Sequence, residues 1–182
     1  RMRNPEFVKA AFSAIAPRYV ATNHVLSMGV DLLWRQRVVQ LVSEWKPENL
    51  LDLATGTGDL ALAILNAMPE IRLTGSDFCQ PMLDIAARRG LDHLVCADAM
   101  NLPFPSASYD AVTVAFGLRN MASYPDALRE MGRMLRPGGH LLILDFSLPE
   151  KPLPVLSAPY PSRHRRVDDR PPGSIRLPGG QH

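Results

Sequence analysis

Apolar positions along the first 150 residues switch between helical spacing and short continuous runs. Over residues 31–45 they form one broad helical face that Pro47 ends, and a second helix is predicted over residues 5–16. The continuous runs are typical of buried strands, because a parallel sheet covered on both faces has little alternation. Strands are predicted at Asn49–Ala54, Ile71–Asp77, Leu94–Ala97, Tyr109–Phe116 and His140–Phe146.

Helical patterns separate most of these strands. They begin near Asp59, cover Gln80–Arg89 and cover Pro125–Leu135, and Arg136–Gly139 (RPGG) is predicted to stop the last helix and form a turn. Strands joined by helices imply right-handed crossovers and a parallel sheet. The predicted class is α/β with a doubly wound parallel sheet.

Composition is that of a globular domain, with 46% hydrophobic and 21% charged residues. No apolar run is long enough to span a bilayer, and the chain opens without an apolar signal region. The two cysteines form no CxxC pair, so neither a disulfide framework nor a zinc site is expected, and no metal is predicted. A cytoplasmic location is predicted, with at most peripheral contact with the inner membrane.

The net charge of +2 is unevenly distributed. Residues 151–182 hold six basic and two acidic residues, a charge of +4, together with seven of the 17 prolines. Residues 161–182 are therefore predicted to be poorly structured. The remaining 150 residues carry −2, which gives no electrostatic footprint for nucleic acid.

A glycine-containing loop, Asp52–Asp59 (DLATGTGD), follows the first predicted strand. In open parallel sheets ligands bind beyond the carboxyl ends of the strands, and glycines there permit close backbone approach. Gly56, Gly58 and Ala61 also satisfy the GxGxxA dinucleotide pattern. A nicotinamide-dependent dehydrogenase is therefore one hypothesis.

Acidic residues at three strand ends favour a different ligand. Asp52 and Asp59 would repel a pyrophosphate but suit the ammonium of S-adenosylmethionine, although Asp59 could instead cap a helix. Asp77 can accept hydrogen bonds from ribose hydroxyls, and Asp98 can accept one from an adenine amino group. Each of these two could alternatively be an ordinary turn residue.

The chain resembles the ubiquinone/menaquinone biosynthesis C-methyltransferases, the UbiE family of class I S-adenosylmethionine-dependent enzymes. The resemblance runs from about Val8 to Pro149. The stretches that carry it are FSAIAPRY (12–19), NHVLSMG (23–29), Trp34-Arg35, LDLATGTGDL (51–60), DFCQPML (77–83), NLPFP (101–105), FGLRN (116–120) and LRPGGHLLILDFS (135–147).

This resemblance implies a Rossmann-like fold with strands ordered 3-2-1-4-5 and S-adenosyl-L-methionine as cofactor. It implies a helical covering segment over residues 1–48, a cofactor-binding core over 49–150 and an atypical tail over 151–182. The cofactor contacts expected are Asp52, Gly56, Thr57, Gly58, Asp77, Phe78, Met82, Asp98, Ala99 and Ala115. The substrate implied is a small prenylated quinol, methylated on a ring carbon.

Arg119 is expected to stabilise a phenolate, Asn120 to orient a hydroxyl, and Tyr19 to assist as a third catalytic residue. The chain departs from the family at Ala115, where a serine is usual, and its match fades after Pro149. The last two strands of the family are therefore expected to be missing, so the fifth strand is expected to be an open edge that favours a homo-oligomer. The alternatives are another small-molecule class I methyltransferase, or a truncated cofactor-binding domain with little turnover.

Overall fold

The structure, a computed structural model, describes residues 30–145 and 156–159 of the chain. Within them the helices are α1 (Val30–Trp45), α2 (Asp59–Ala67), α3 (Gln80–Arg88) and α4 (Tyr124–Met134), with a 3₁₀ turn at Leu118–Asn120. The strands are β1 (Asn49–Leu53), β2 (Arg72–Asp77), β3 (Leu94–Cys96), β4 (Tyr109–Ala115), β5 (Leu135–Leu144) and β6 (Leu156–Pro159). No helix of the described residues is long and apolar enough to cross a bilayer.

The strands form one sheet in the order β3-β2-β1-β4-β5-β6. The first five are parallel and β6 is antiparallel to β5. The predicted α/β class and the order 3-2-1-4-5 are confirmed. Because the order reverses between β1 and β4, their carboxyl ends border the crevice where such sheets bind ligands.

Both faces of the sheet are covered. On one face Val38 and Val42 of α1 join Leu60 and Ile64 of α2 in a core cluster that includes Leu50 of β1. On the other face α4 and the strands form a second cluster; its fully buried members include Leu51, Val112, Met131 and Met134. Adjacent residues of β1 thus enter opposite cores, which explains the continuous apolar run in the sequence.

The predicted turn at Arg136–Gly139 is wrong. The helix ends at Met134 as expected, but β5 begins at once, with Leu135 opposite Tyr109 and His140 opposite Ala111. The residues between these pairs form an irregularity in the parallel ladder, and Gly138 takes a left-handed conformation there, with a φ of 83°. Proline and glycine mark a bulged strand here rather than a break between elements.

The predicted open edge of β5 is also wrong. Residues Leu156–Pro159 pair antiparallel with His140–Ile143, so one strand beyond the fifth is present. An edge strand tolerates proline, which is why a composition argument over residues 151–182 missed it. The helix predicted over residues 5–16, Tyr19, Phe146 and the tail over 161–182 lie outside the described residues.

Candidate functional site

A cleft lies at the carboxyl ends of β1, β2 and β4, and most of the predicted site residues line it. Those that do are Asp52, Gly56, Thr57, Asp77, Phe78, Met82, Asp98, Ala99, Ala115 and Asn120. Gly58 and Arg119 do not line it, and Tyr19 lies outside the described residues. Residues as far apart in the chain as Asp52 and Asn120 thus meet at one edge of the sheet.

The loop after β1 is shaped by two glycines with different roles. Gly56 has a φ of 58° and donates its backbone N–H to Asp77 Oδ2 at 2.9 Å. Gly58 precedes α2 with a φ of 84°, and a Cβ there would lie 2.4 Å from Leu91 Cδ1. Gly58 therefore closes the loop against the core, whereas Gly56 presents its backbone to the cleft.

Asp52 is a buried carboxylate beneath this loop. Thr55 Oγ1 donates to its Oδ2 at 2.7 Å, and Thr113 Oγ1 donates to its Oδ1 at 2.6 Å. Burial raises the pKa of Asp52 to about 6, against the opposing effect of the two hydroxyl donors; the nearby charge of Asp77 raises it further. Asp52 therefore fixes the start of the loop and adds negative charge below the cleft.

Asp77 ends β2 and holds the neighbouring backbone with both oxygens. Its Oδ2 accepts from Gly56, and its Oδ1 accepts from the backbone N–H of Cys79 at 2.9 Å. Burial raises the pKa of this carboxyl, and the backbone donors oppose the shift. Since a carboxylate offers about four lone-pair sites, capacity remains for a ligand hydroxyl in the cleft.

Asp59 does not have the helix-capping role that the sequence offered for it. Gly58 occupies the N-cap position of α2, and Asp59 is the first helical residue, so Asp59 is not the cap. Its Oδ1 lies 2.7 Å from Arg89 Nη1, and its Oδ2 lies 3.8 Å from Arg35 Nη2. Because two guanidinium groups offset this carboxylate, the argument against a pyrophosphate rests on Asp52 and Asp77.

Asp98 follows β3 and is exposed at the cleft. Its Oδ1 accepts from the backbone N–H of Met100 at 2.9 Å, and its carbonyl accepts from that of Asn101. This is the turn geometry that the sequence left open as an alternative. Asp98 can hold this turn and still contact a ligand in the cleft, because its second carboxylate oxygen, Oδ2, accepts no hydrogen bond within the described residues.

The backbone is strained where β1 and β4 end beside each other. Ala54 has a φ of 51° and Phe116 a φ of 58°, both in the left-handed region although neither is glycine. Gly117 packs so closely that a Cβ on it would lie 2.3 Å from Ala54 Cβ. Strain of this kind persists where surrounding structure enforces it, often at functional sites, and no sequence signal indicated it.

Arg119 is anchored beside the cleft. Its backbone N–H donates to Asp145 Oδ2 at 3.0 Å, and its Nη1 donates to Asp145 Oδ1 at 2.8 Å. Its guanidinium lies 5.9 Å from the centre of the Phe116 ring. Asn120 is the member of this pair that lines the cleft, and Asp145 is a partner that the sequence argument missed although it lies in the LDFS stretch.

Arg35 and Ser76 are two of the cleft residues that were not predicted. Arg35 of α1 lines the cleft with a side chain only 14% exposed. Ser76 lines it too, and its buried Oγ has no hydrogen-bond partner among the described residues. Arg35 belongs to the Trp34-Arg35 pair of the resemblance, whereas Ser76 carried no signal.

Comparison with known proteins identifies relatives of the chain. The chain is 52% identical to a demethylmenaquinone methyltransferase of Thermus thermophilus over 77% of its own length and 66% of the relative's. It is 46% identical to a demethylmenaquinone methyltransferase of Deinococcus radiodurans over 78% and 61% of the two lengths. The chain thus spans less than two thirds of these relatives.

Among solved structures, a SAM-dependent methyltransferase from Thermotoga maritima matches with a TM-score of 0.60 at 23% identity, over 75% of this chain and 60% of that one. This likeness concerns the fold. The model of the ubiE/COQ5 methyltransferase family matches residues 2–167. Sequence, fold and strand-end residues therefore agree that the chain belongs to the ubiE/COQ5 methyltransferase family.

Proposed function

We propose that this chain binds S-adenosyl-L-methionine and directs C-methylation of a polyprenyl hydroquinone ring in quinone biosynthesis. Membership of the family and the names of the Thermus and Deinococcus relatives support the reaction class. The observation that carries the cofactor is the placement of Asp77 beside the Gly56 backbone, in a cleft that Asp52 makes electronegative.

The cleft residues fit each part of this cofactor. Asp77 offers acceptors for ribose hydroxyls, and Asp98 with Ala99 offers the adenine edge a carboxylate and a backbone group. Phe78 and Met82 supply apolar surface to the same cleft. Ser76 Oγ, buried without a partner, has an unused hydrogen-bonding capacity that a ligand can fill.

The bound cofactor would supply an electrophilic methyl group on a sulfonium. The protein's contribution is then positioning and exclusion of water. Asp77 and the loop that it holds would fix the cofactor. Asn120, which lines the same cleft, would orient a hydroxyl of the quinol. Ala115 contributes backbone but no hydroxyl to this cleft.

Arg119 remains our candidate for stabilising a phenolate, with a refined role. Its guanidinium is tied to Asp145 and is 38% exposed beside the cleft. The ion pair orients the guanidinium of Arg119, and the Asp145 carboxylate reduces its attraction for an anion. Tyr19 stays a sequence-based proposal as the third catalytic residue.

The proposed acceptor of the methyl group is a small prenylated quinol. Nucleic acid is not expected to be a partner. A cytoplasmic location with peripheral contact with the inner membrane is proposed because the prenyl tail of such a substrate resides in the bilayer. The reason for expecting a homo-oligomer through a bare β5 edge no longer holds, since β6 pairs there.

A thermal-shift comparison followed by a turnover assay tests the proposal. S-adenosylhomocysteine should raise the melting temperature of the full 182-residue chain, and NAD should not. Incubation with S-adenosylmethionine and a demethylmenaquinol should then add one methyl mass to the quinol. A shift with NAD alone would favour the dehydrogenase hypothesis, whereas binding without turnover would favour the truncated cofactor-binding domain.

A further inference from the structure

Residues 98–106, here called the β3 loop, carry part of the cleft wall. Asp98, Ala99 and Met100 line the cleft. Asp98 folds the start of the loop into a turn, because its Oδ1 accepts from the Met100 N–H and its carbonyl accepts from the Asn101 N–H. These bonds lie within the loop, so they shape the turn but do not fix its position relative to the sheet.

Within the described residues, the hydrogen bonds that join the β3 loop to other elements come from two side chains of α4. Glu130 Oε1 accepts from the Leu102 N–H at 2.8 Å. Arg133 donates from Nη2 to the Leu102 carbonyl at 3.0 Å and from Nη1 to the Phe104 carbonyl at 2.8 Å. The same Nη1 lies 3.4 Å from Ser106 Oγ. This helix therefore sets the position of the far end of the loop.

The sequence of the loop explains why it needs a donor from elsewhere. Two of the five residues in NLPFP (101–105) are prolines, which have no backbone N–H, so this stretch offers more acceptors than donors. The Leu102 and Phe104 carbonyls each precede a proline, and Arg133 donates to both. Arginine suits this position because its planar guanidinium holds several N–H donors in a fixed fork.

Glu130 fixes the direction of the Arg133 guanidinium. Its Oε2 accepts from Arg133 Nε at 2.8 Å, and its Oε1 accepts from Nη2, so the pair is bidentate. Hydrogen bonding from Arg133 lowers the pKa of the Glu130 carboxyl. The helix that carries the pair is itself anchored, because Ala127, Met131 and Met134 are fully buried in the core.

We propose that Glu130 and Arg133 are positioning residues for cofactor recognition, which hold the β3 loop so that Asp98 meets the adenine amino group. The inference rests on the proposed function, because it presumes an adenine-bearing cofactor. It goes beyond that function by giving a task to the NLPFP stretch and to two α4 residues that do not line the cleft. Removing either residue should therefore change the selectivity of the cleft for adenine.

Exchanging the base of the ligand and the Arg133 side chain together tests this inference. Calorimetry would compare S-adenosylhomocysteine with S-inosylhomocysteine, which has a carbonyl oxygen and a ring N–H where adenine has an amino group and a ring nitrogen. The parent chain should prefer the adenine ligand by about 10- to 100-fold, because Asp98 accepts a hydrogen bond from the amino group. In Arg133→Met this preference should fall to about fivefold or less, with most of the loss in the adenine ligand.

Arg129→Met is the matched control. Arg129 lies on the same helix and pairs with Asp126 at the same i,i+3 spacing, but it is exposed and makes no hydrogen bond to the β3 loop within the described residues. Its replacement removes the same charge and should leave both affinities within about twofold of the parent. Glu130→Gln keeps an oxygen for the Leu102 N–H and should lose part of the preference, which provides a second test if Arg133→Met folds poorly. Melting temperatures would show whether each variant is folded.

The pattern across ligands and variants decides the matter. A preference reduced in Arg133→Met and Glu130→Gln but kept in Arg129→Met supports the inference. Equal losses for both ligands, or the same losses in Arg129→Met, would mean that α4 only supports the fold, which would overturn the inference and leave the proposed function intact. A preference that is unchanged, or absent from the parent, would also overturn it. Failure of the parent to bind either ligand would overturn the proposed function as well.

Discussion

Replacing Asp52 by asparagine should stabilise the protein at neutral pH. The Asp52 side chain is 1% exposed, and burial raises its pKa from 3.8 to about 6. A carboxyl with a raised pKa in the folded state binds a proton more tightly there than in the unfolded chain. Stability from this group is therefore greatest below the unfolded pKa and falls as the pH rises towards the folded pKa.

The size of the effect follows from that shift. About two pKa units correspond to about 3 kcal/mol of destabilisation once Asp52 is fully ionised in both states. Asparagine has nearly the same shape and no charge. Its oxygen can accept from one of the two threonine hydroxyls, and its amide can donate to the other, because a hydroxyl also accepts.

Urea unfolding at two pH values measures the difference in the free energy of unfolding between Asp52→Asn and the parent. Trp34 and Trp45, both on α1, provide a fluorescence signal, and equal denaturant slopes would validate the comparison. Asp52→Asn should be about 2–3 kcal/mol more stable than the parent at about pH 7.5, and this advantage should shrink by about 2 kcal/mol at about pH 4.5. An advantage that does not change with pH would refute the reasoning, because the cause would then not be ionisation.

Asp110→Asn provides a control of opposite sign. Burial raises the pKa of Asp110, but hydrogen bonds from the backbone of Asn49 and from Arg136 outweigh it and leave the pKa lowered. A lowered folded pKa contributes stability above the unfolded pKa, which is lost as the pH falls. Asp110→Asn should therefore be less stable than the parent near neutrality, with a deficit that narrows in acid.

Three further variants test the cleft. Asp77→Ala should lose stability by about 1–3 kcal/mol in urea unfolding as well as affinity for S-adenosylhomocysteine in calorimetry, because two backbone N–H groups lose their acceptor with it. Gly117→Ala should weaken the same binding, since its Cβ would meet Ala54 Cβ at 2.3 Å and displace the strand ends, and unchanged affinity would show that these ends do not shape the site. Ser76→Ala should leave stability unchanged or raise it by up to about 1 kcal/mol, and a clear loss would reveal a partner for the hydroxyl.

The sheet could be predicted from the sequence because its signals are local. Apolar runs such as Asn49–Leu53 are bounded by proline or glycine, and each is long enough for one buried strand. The strand order and the ligand-binding edge then follow from general rules for parallel sheets and from the resemblance. The two corrections, the bulge at Arg136–Gly139 and β6, both depend on which distant residues pair with them.

The parts of the site that the sequence missed also depend on long-range packing. Thr113 meets Asp52 across 61 residues of chain because β4 lies directly beside β1. Arg35 reaches the cleft because α1 packs on α2, and no spacing between Arg35 and the glycine loop encodes that contact. Site residues that directly follow a strand can be predicted from the sequence. Site residues that a packed helix brings to the strand ends cannot.

Whether the acidic side chains disfavour a pyrophosphate depends on the ion pairs and the pKa of each one rather than on their number. From the sequence, Asp52 and Asp59 together argue against a pyrophosphate, yet two arginines offset Asp59 and burial raises the pKa of Asp52 to about 6. What distinguishes the ligands is the position of Asp52, which lies beneath the loop whose backbone a pyrophosphate would need. The cationic sulfonium and ammonium of S-adenosylmethionine suit this negative charge and a diphosphate does not, so discrimination between S-adenosylmethionine and NAD should weaken in Asp52→Asn.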